Sequence, residues 1–476
     1  MGAMDAGETF AKVWAPIDFE PSFTFTEIDG EIPREINGTF FRCGPSQKVL
    51  PEAGAGALHL FDGDGLVHAF RFEDGKASYR GRFAETSSFK FEQEVGAYCL
   101  GGFNVHPDVK LEKRPYNYQV QTNTVYHAGR LFALGEGQLA FEMDPITLES
   151  IGPWDYDGKR IGLTTTAHPR LDHRTGQMII HGYSPDNPRI QFYVVEADGS
   201  VSVAEAHDAP WASFMHDIAI SENYAIMPIG SVSFGLDGVK RGGPMRDVFQ
   251  ARNDLPLSFG IRGRTVGSQM KWFETSMPGF FAHPGNAYEE NGKIYLDGVV
   301  YEDTAALLES FATIRSGVPG TGFISYPYLF EFDLESGSVK HWKMSDVAAE
   351  FPRLDDRLVG VKNKYGYAST ADSSHPAETS DHSFRRITKY NRQGGPSVSR
   401  PVTDGQWVGE PVFVPRAPDA EEDDGFVLFQ MYDAHRDMSA VEIRDARNMD
   451  GDALATCWMN MRIPLASHGN WAPGVV

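Results

Sequence analysis

The chain has 476 residues, of which 41% are hydrophobic and 23% are charged, a composition typical of a globular protein with ample core material. The formal net charge is −22, and an acidic surface repels phosphate backbones, which argues against a nucleic-acid partner. The 3 cysteines are odd in number and far apart, so neither a disulfide framework nor a paired zinc motif is indicated.

The N-terminal segment MGAMDAGETF lacks the basic and apolar regions of a secretory signal. We interpret residues 1–8 as a tag remnant or a disordered segment. No apolar run approaches the roughly 20 residues needed to span a bilayer. We therefore expect a cytoplasmic protein without an integral membrane segment, monomeric or homodimeric, whose residues 1–476 form a single domain because no linker-like composition divides the chain.

Short β-rich runs separated by Gly, Asp and Asn turns dominate the chain. A degenerate repeat, in which a strand ends in a charged turn, starts at Phe70, Phe141, Phe192, Phe330, Tyr390 and Val441. The starts are spaced by roughly 50 to 70 residues, and one longer gap fits two units. About seven such units predict an all-β propeller of four-stranded blades, with a large β-sandwich or two β domains as alternatives.

Helical periodicity is confined to two short segments. Residues 303–314 and 344–351 are the candidate helices. Neither is long enough to change the all-β prediction.

Four of the 15 histidines differ from the rest in context. Each follows an apolar or small residue beside a predicted strand end, and each falls in a different repeat unit: His168 in TTTAHPRLD, His216 in ASFMHDIAIS, His283 in GFFAHPGNAYE and His468 in PLASHGNWAPG. In a propeller the inner strand of every blade faces one axis, so distant residues can converge there. Neutral imidazole suits iron, zinc, copper or nickel. The ordinary reading, a hydrogen-bonded polar side chain, remains open because no local HxxxH motif is present.

These contexts resemble the carotenoid cleavage oxygenase family, and more closely its bacterial lignostilbene dioxygenase branch. Family-like segments run in order along almost the whole chain: EIPREINGTFFRCGPS, FDGDGLVHAFRFEDG, TAHPRLDHRTG, FMHDIAIS, NAYEENGKIYLD, EFPRLDDR, EPVFVPRAPDAEEDDGFVL and SHGNWAP. The resemblance implies a seven-bladed β-propeller with a cap of loops and short helices over the active-site face. It also implies one Fe(II) per chain, held by His168, His216, His283 and His468.

Three glutamates are expected to orient the iron ligands. Metal-bound imidazoles usually donate their second N–H to an acceptor behind them, and the family uses glutamates for every ligand except the first. The matching positions are Glu136, Glu350 and Glu410, all in apolar sequence where a bare carboxylate is costly to bury. The alternative is a buried glutamate bonded to backbone amides.

The chemistry implied by the resemblance is oxidative cleavage of an alkene. An electron-rich conjugated C=C bond would react with O₂ at Fe(II) and give two carbonyl products, without a side-chain nucleophile. A small hydrophobic or aromatic alkene and O₂ are the expected partners, in an apolar, aromatic pocket. Phe61, in the FDGDG segment, is a candidate substrate contact or a core aromatic.

The chain departs from the lignostilbene branch at the residues that grip the substrate phenol. Those enzymes typically carry a lysine just before the glutamate that matches Glu136, and a tyrosine elsewhere. The corresponding residues here are Gly135 and Phe103, with Tyr98 nearby but offset. Since glycine offers no side-chain donor, the phenol clamp is expected to be absent. Three explanations remain open: a substrate without that phenol, another anchoring residue, or a longer substrate such as an apocarotenoid. Turnover of a 4-hydroxystilbene by Gly135→Lys discriminates between them, because a large gain supports a lost clamp.

Two other functions are weighed against stilbenoid or phenylpropanoid cleavage. One is cleavage of a carotenoid or apocarotenoid by the same chemistry. The other is a noncatalytic propeller that serves as a binding scaffold, which would need no axial histidine set. Metal analysis separates the scaffold from the enzyme.

Overall fold

A computed structural model of the chain describes residues 12–50, 59, 61–103, 115–162, 165–235, 245–313, 324–371 and 384–476. The prediction for residues 1–8 lies outside these ranges. The described residues form seven antiparallel blades around one axis, which confirms the predicted seven-bladed β-propeller. No helix in the described ranges has both the length and the apolar character that a bilayer span requires.

The first four blades are numbered along the chain, and each is given from its inner strand outward. Blade 1 contains His468–Pro473, Gly38–Ser46, Asp64–Glu73, Lys76–Phe83 and Ser22–Thr24. Blade 2 contains Asn123–His127, Arg130–Leu134, Phe141–Met143 and Ser150–Pro153. Blade 3 contains Arg170–Asp172, Gln177–Ser184, Asn187–Val195 and Val201–Asp208. Blade 4 contains Ala219–Ile220, Tyr224–Ile229, Ser258–Gly263 and Lys271–Glu274, with a ribbon of Val232–Phe234 and Phe249–Ala251 inserted.

The last three blades follow the same antiparallel order. Blade 5 contains Phe280–Glu290, Lys293–Tyr301, Ser325–Asp333 and Val339–Lys343. Blade 6 contains Ala349–Arg353, Tyr365–Thr370, Arg386–Asn391 and Val398–Ser399. Blade 7 contains Gln406–Val408 and Val412–Pro415, which both pair with Gly425–Asp433, then Met438–Asp445, Ala455–Trp458 and Glu27–Gly30.

Helices are few among the described residues. The α-helices are Ser87–Val95 and Thr304–Thr313, the 3₁₀ turns are Met245–Val248 and Asp356–Leu358, and residues 12–14 are also helical. The helix predicted over 303–314 is therefore present. The one predicted over 344–351 is wrong, because residues 349–353 form the inner strand of blade 6.

Both ends of the chain close the ring. The strand Glu27–Gly30 pairs with Ala455–Trp458 in blade 7, and the C-terminal strand His468–Pro473 pairs with Gly38–Ser46 in blade 1. A cluster of buried apolar side chains that includes Phe40, Phe70, Phe426 and Leu428 fills the space between these two blades. Burial of this apolar surface drives the closure.

The repeat read from the sequence marks the third-to-fourth strand hairpin of six blades. The starts at Phe70, Phe141, Phe192, Phe330, Tyr390 and Val441 fall in blades 1, 2, 3, 5, 6 and 7. The long gap holds blade 4, whose hairpin joins Ser258–Gly263 to Lys271–Glu274. Its turn, RTVGSQM, contains neither Asp nor Asn, whereas each of the other six units carries one in or beside its turn, so the repeat pattern does not mark blade 4.

Candidate metal centre

The four predicted histidines lie at the inner strands of four different blades. His168 lies two residues before Arg170–Asp172, His216 three residues before Ala219–Ile220, His283 within Phe280–Glu290, and His468 opens His468–Pro473. These inner strands lie beside the axis, so their ends point the four side chains at one place.

One ligand nitrogen of each of the four imidazoles lies within 4.8 Å of the others. His216 Nε2 and His283 Nε2 are 3.0 Å apart, and the ring centroids of His168 and His468 are 4.6 Å apart. Such a cluster of nitrogen donors matches the size of a single metal site.

Two of the four imidazoles are held in the neutral form, whereas Glu350 raises the pKa of His283 against the effect of burial. Burial, together with repulsion from the other three imidazoles, holds the pKa of His168 well below its usual value. Burial also lowers the pKa of His468 to about 4, although the negative charge of Glu410 acts to raise it. At neutral pH both rings are neutral and keep a free lone pair, which is the form that binds a metal.

A buried nitrogen without a protein partner completes the argument for a metal. His168 Nε2 is inaccessible to solvent and neither donates nor accepts a hydrogen bond. A polar atom buried in this way costs free energy unless a hydrogen-bond partner or a metal ion interacts with it. The imidazole donor set suits iron, zinc, copper or nickel. The residues present therefore fit a metal ion bound between the four rings.

Each of the three predicted glutamates lies behind one of the other histidines. Glu136 Oε1 is 2.8 Å from His216 Nδ1, Glu350 Oε2 is 2.6 Å from His283 Nδ1, and Glu410 Oε1 is 3.1 Å from His468 Nδ1. Tyr183 and Tyr301 donate hydroxyl hydrogen bonds to Glu136 and Glu350, at 3.1 and 2.7 Å. Hydrogen bonds to Glu350 and Glu410 thus fix the orientation of His283 and His468, whereas Glu136 lies against His216 without a hydrogen bond.

Two arginines that the sequence analysis did not single out hold Glu410. Arg42 Nη1 lies 2.6 Å from Glu410 Oε2, and Arg353 Nη1 lies 3.2 Å from Glu410 Oε1. The pKa of Glu410 is held far below its usual value, because these guanidinium groups and the His468 imidazole outweigh the cost of burial. Both arginines lie in segments quoted for the family resemblance, but nothing local in the sequence distinguishes them from surface arginines.

His168 is the one ligand candidate without a glutamate behind it; the nearest carboxylate among the described residues is Asp217. Asp217 Oδ2 lies 3.6 Å from His168 Nδ1, which is too long for a hydrogen bond. The Asp217 carboxylate is buried and forms an ion pair with Arg170. Thr166 Oγ1 bonds to both segments, accepting from His168 N at 3.2 Å and donating to His216 O at 2.7 Å. Blades 3 and 4 are therefore tied together beside their histidines.

Aromatic rings cover the side of the cluster from which the strands enter. Phe214 and Phe280 precede their histidines by two and three residues and stack at 5.5 Å. Phe249 lies 5.1 Å from Phe214 and 5.9 Å from Phe103. Phe103 is 6.2 Å from Phe61. We call these five residues the aromatic wall; it includes both aromatic residues predicted to contact substrate.

A polar cavity lies on the opposite side of the histidines. Residues that follow the histidines along the inner strands line it, among them Arg170, Asp217 and Asn470. Arg353, from the inner strand of blade 6, and His168, His283 and His468 themselves also line it. We call it the axial cavity. The cluster therefore has one aromatic side and one charged side.

Gly135 does not have space for the side chain that the resemblance would place there. A Cβ built on Gly135 would lie 2.0 Å from the backbone oxygen of Gln119. Any side chain at position 135 therefore displaces the neighbouring backbone, so we do not expect Gly135→Lys to gain turnover of a 4-hydroxystilbene.

The variant Gly135→Ala tests this close approach. We expect it to lower the free energy of unfolding by about 1–3 kcal/mol, the usual cost of overpacking. Urea denaturation measures the change. Gly409→Ala is the control, because an added methyl there meets no atom closer than 3.6 Å, and equal stability of the two variants would contradict the expectation.

The variant Glu350→Gln tests the support of His283. It removes the charge that faces His283 Nδ1 while keeping the shape, so we expect metal affinity to fall by about 10- to 100-fold. Competition with a coloured chelator measures it. Glu302→Gln is the control, since Glu302 accepts from Tyr328 and pairs with Lys343, both at 2.6 Å, away from the histidines. Unchanged affinity in Glu350→Gln would refute the assignment.

Comparison with known proteins gives a consistent result over nearly the whole chain. The family model described as retinal pigment epithelial membrane protein matches residues 14–473. An isoeugenol monooxygenase from Pseudomonas nitroreducens is 32% identical over 474 residues, which cover 96% of each chain. Lignostilbene-α,β-dioxygenase isozyme III from Sphingomonas paucimobilis is 30% identical, over 97% of this chain and 96% of its own. The crystal structure of Pseudomonas brassicacearum lignostilbene dioxygenase matches with a TM-score of 0.88 at 29% identity, covering 100% of both chains.

Proposed function

Because the chain belongs to the carotenoid cleavage oxygenase family, we propose that it is a non-haem Fe(II) enzyme. Its proposed reaction cleaves the conjugated C=C bond of a stilbenoid or phenylpropanoid with O₂ and releases two carbonyl products. The observation that carries the proposal is the set of four converging imidazoles directly beside the aromatic wall. A noncatalytic binding scaffold would not require four converging imidazoles beside an aromatic surface.

Iron bound by the four histidines would supply the redox chemistry that activates dioxygen. The residues of the chain contribute by positioning the metal ligands and the substrate. Glu350 and Glu410 keep the Nδ1 protons of His283 and His468 directed away from the axis. These two ligands then retain one tautomer and one orientation throughout the reaction.

The aromatic wall is proposed to bind and orient the alkene. Phe214 lies 5.7 Å from the His216 ring, and Phe280 lies 6.3 Å from it, so a planar conjugated substrate stacked there is adjacent to the metal ligands. Phe61 and Phe103 extend the same surface outward. Such a surface excludes water from the reacting bond. No side-chain nucleophile is required.

The missing phenol clamp bears on the choice of substrate. Position 135 has no room for a lysine, and position 103 presents a phenylalanine ring to Phe249 rather than a hydroxyl. This favours an alkene held by apolar stacking alone. An apocarotenoid is the second candidate substrate class on this ground.

The experiment is oxygen uptake by the iron-loaded protein across stilbenes with and without a 4-hydroxyl group, isoeugenol-type phenylpropanoids and apocarotenals. We expect cleavage to paired carbonyl products, with no dependence on the 4-hydroxyl group. Labelling with ¹⁸O₂ shows whether both products carry an oxygen atom from O₂. Absence of oxygen uptake with every compound, in a protein that retains iron, would overturn the proposal.

A further inference from the structure

The two sides of the histidine cluster differ in their chemistry because of the direction of the inner strands. Residues before the histidines, such as Phe214 and Phe280, are aromatic and belong to the aromatic wall. Residues after them, such as Arg170 and Asp217, line the axial cavity. An alkene suits the first side, whereas an ion suits the second.

The axial cavity opens away from the aromatic wall. Its lining residues range from buried to exposed: His168 and His468 are each 5% exposed, the Asp356 side chain is 25% exposed, and His173, five residues after His168, is exposed. Leu171 and Val359, which also line the cavity, are partly exposed. The cavity therefore reaches from three of the four histidines to solvent.

The lining of the axial cavity offers oxygen and nitrogen donors to a cation. The carboxylates of Asp217, Asp356 and Glu410 line it, balanced in charge by Arg170, Arg353 and the buried Arg42, together with the imidazoles of His168, His283 and His468. The whole chain carries a net charge of −22, so the surrounding potential also attracts cations. The exposed His173 offers a further imidazole.

We infer that the axial cavity is the route by which the divalent metal ion reaches and leaves the four histidines, on the side opposite the alkene. A hydrated cation that crosses the aromatic wall would lose its water without gaining a polar partner, which is prohibitively costly. In the axial cavity, carboxylates and imidazoles replace that water step by step. The inference rests on the metal site proposed above and adds a separate path for loading it.

The test measures the rates of metal uptake and release in two variants that narrow the cavity, Leu171→Trp and Val359→Trp. Apoprotein of the full chain is mixed with Co(II), whose visible absorption reports binding, and release into excess chelator is followed separately. A barrier on the path slows both directions equally, so we expect both rates to fall at least ~10-fold while the dissociation constant is unchanged.

Phe249→Trp is the matched control, because it adds the same kind of bulk to the aromatic wall and is expected to leave both metal rates unchanged. Wild-type rates in Leu171→Trp and Val359→Trp, or slowing in Phe249→Trp alone, would overturn the route. A raised dissociation constant with an unchanged uptake rate would also overturn it, since the effect would then lie on the ligands. Failure of the wild type to bind Co(II) at all would instead refute the metal site.

Discussion

Replacing His168 with asparagine is expected to abolish metal retention and to reduce alkene cleavage at least ~1000-fold, which corresponds to a loss of about 4 kcal/mol of transition-state stabilisation. His168 belongs to the four-imidazole cluster, and its buried Nε2 forms no hydrogen bond, so its lone pair is available to a metal. Asparagine is shorter and cannot bring a nitrogen donor to the same point. Metal content after gel filtration and oxygen uptake are the measurements.

His181→Asn is the control for this variant. His181 is fully buried in the adjacent strand of blade 3 and bonds through Nε2 to Met215 O at 2.9 Å, but it is not part of the four-histidine cluster. It should lower stability and leave metal stoichiometry intact. Full metal content in His168→Asn, or equal metal loss in both variants, would contradict the assignment of His168.

Replacing Arg42 with methionine is expected to lower the free energy of unfolding by about 3–5 kcal/mol, because it leaves the carboxylate of Glu410 buried with one of its two guanidinium partners removed. Arg42 is fully buried and also donates to Ala466 O and Ser467 O at 2.9 and 3.0 Å. It therefore joins blade 1 to blade 7 and to the segment before His468. Metal affinity should fall as well, since Glu410 orients that histidine.

Arg262→Met separates these two effects. The Arg262 side chain is as buried as that of Arg42 and pairs with Glu205 at 2.9 Å, but it lies in blade 4 away from the metal centre. We expect a loss of stability on urea denaturation with unchanged metal affinity. If Arg42→Met also leaves metal affinity unchanged, the link from Arg42 through Glu410 to His468 is wrong.

The sequence predicts the blades and the positions of the histidines because both depend on short, local residue patterns. The charged turn after each third strand recurs in six blades, and each histidine adjoins a short apolar or small stretch at a strand end. The family resemblance then supplied the grouping of His168, His216, His283 and His468, which local spacing alone left open.

The segment around Glu350 shows where local reading failed. Alanine and glutamate favour helix, which is why the sequence predicts a helix over residues 344–351. In the structure Glu350 is fixed by His283 and Tyr301, the register shifts between Glu350 and Arg353, and Phe351 adopts a φ of 54°. Contacts to other strands, absent from any local window, override the helical propensity.

The groups that pair with Glu410 or lie beside His168 could not be predicted from the sequence, because they too come from distant parts of the chain. Arg42 and Glu410 are 368 residues apart in sequence, yet they form one buried ion pair. Asp217 directly follows a predicted ligand, but its place beside His168 depends on how blade 3 meets blade 4. Only the closed ring brings these groups together.

The most direct test of the central claim is anaerobic Fe(II) titration of the full-length apoprotein, followed by X-ray absorption at the iron edge. Convergence of four imidazoles on a single ion predicts one tightly held iron per chain, with four nitrogen neighbours that show imidazole scattering. Iron that is not retained, or that is coordinated by fewer than four imidazoles, would contradict it.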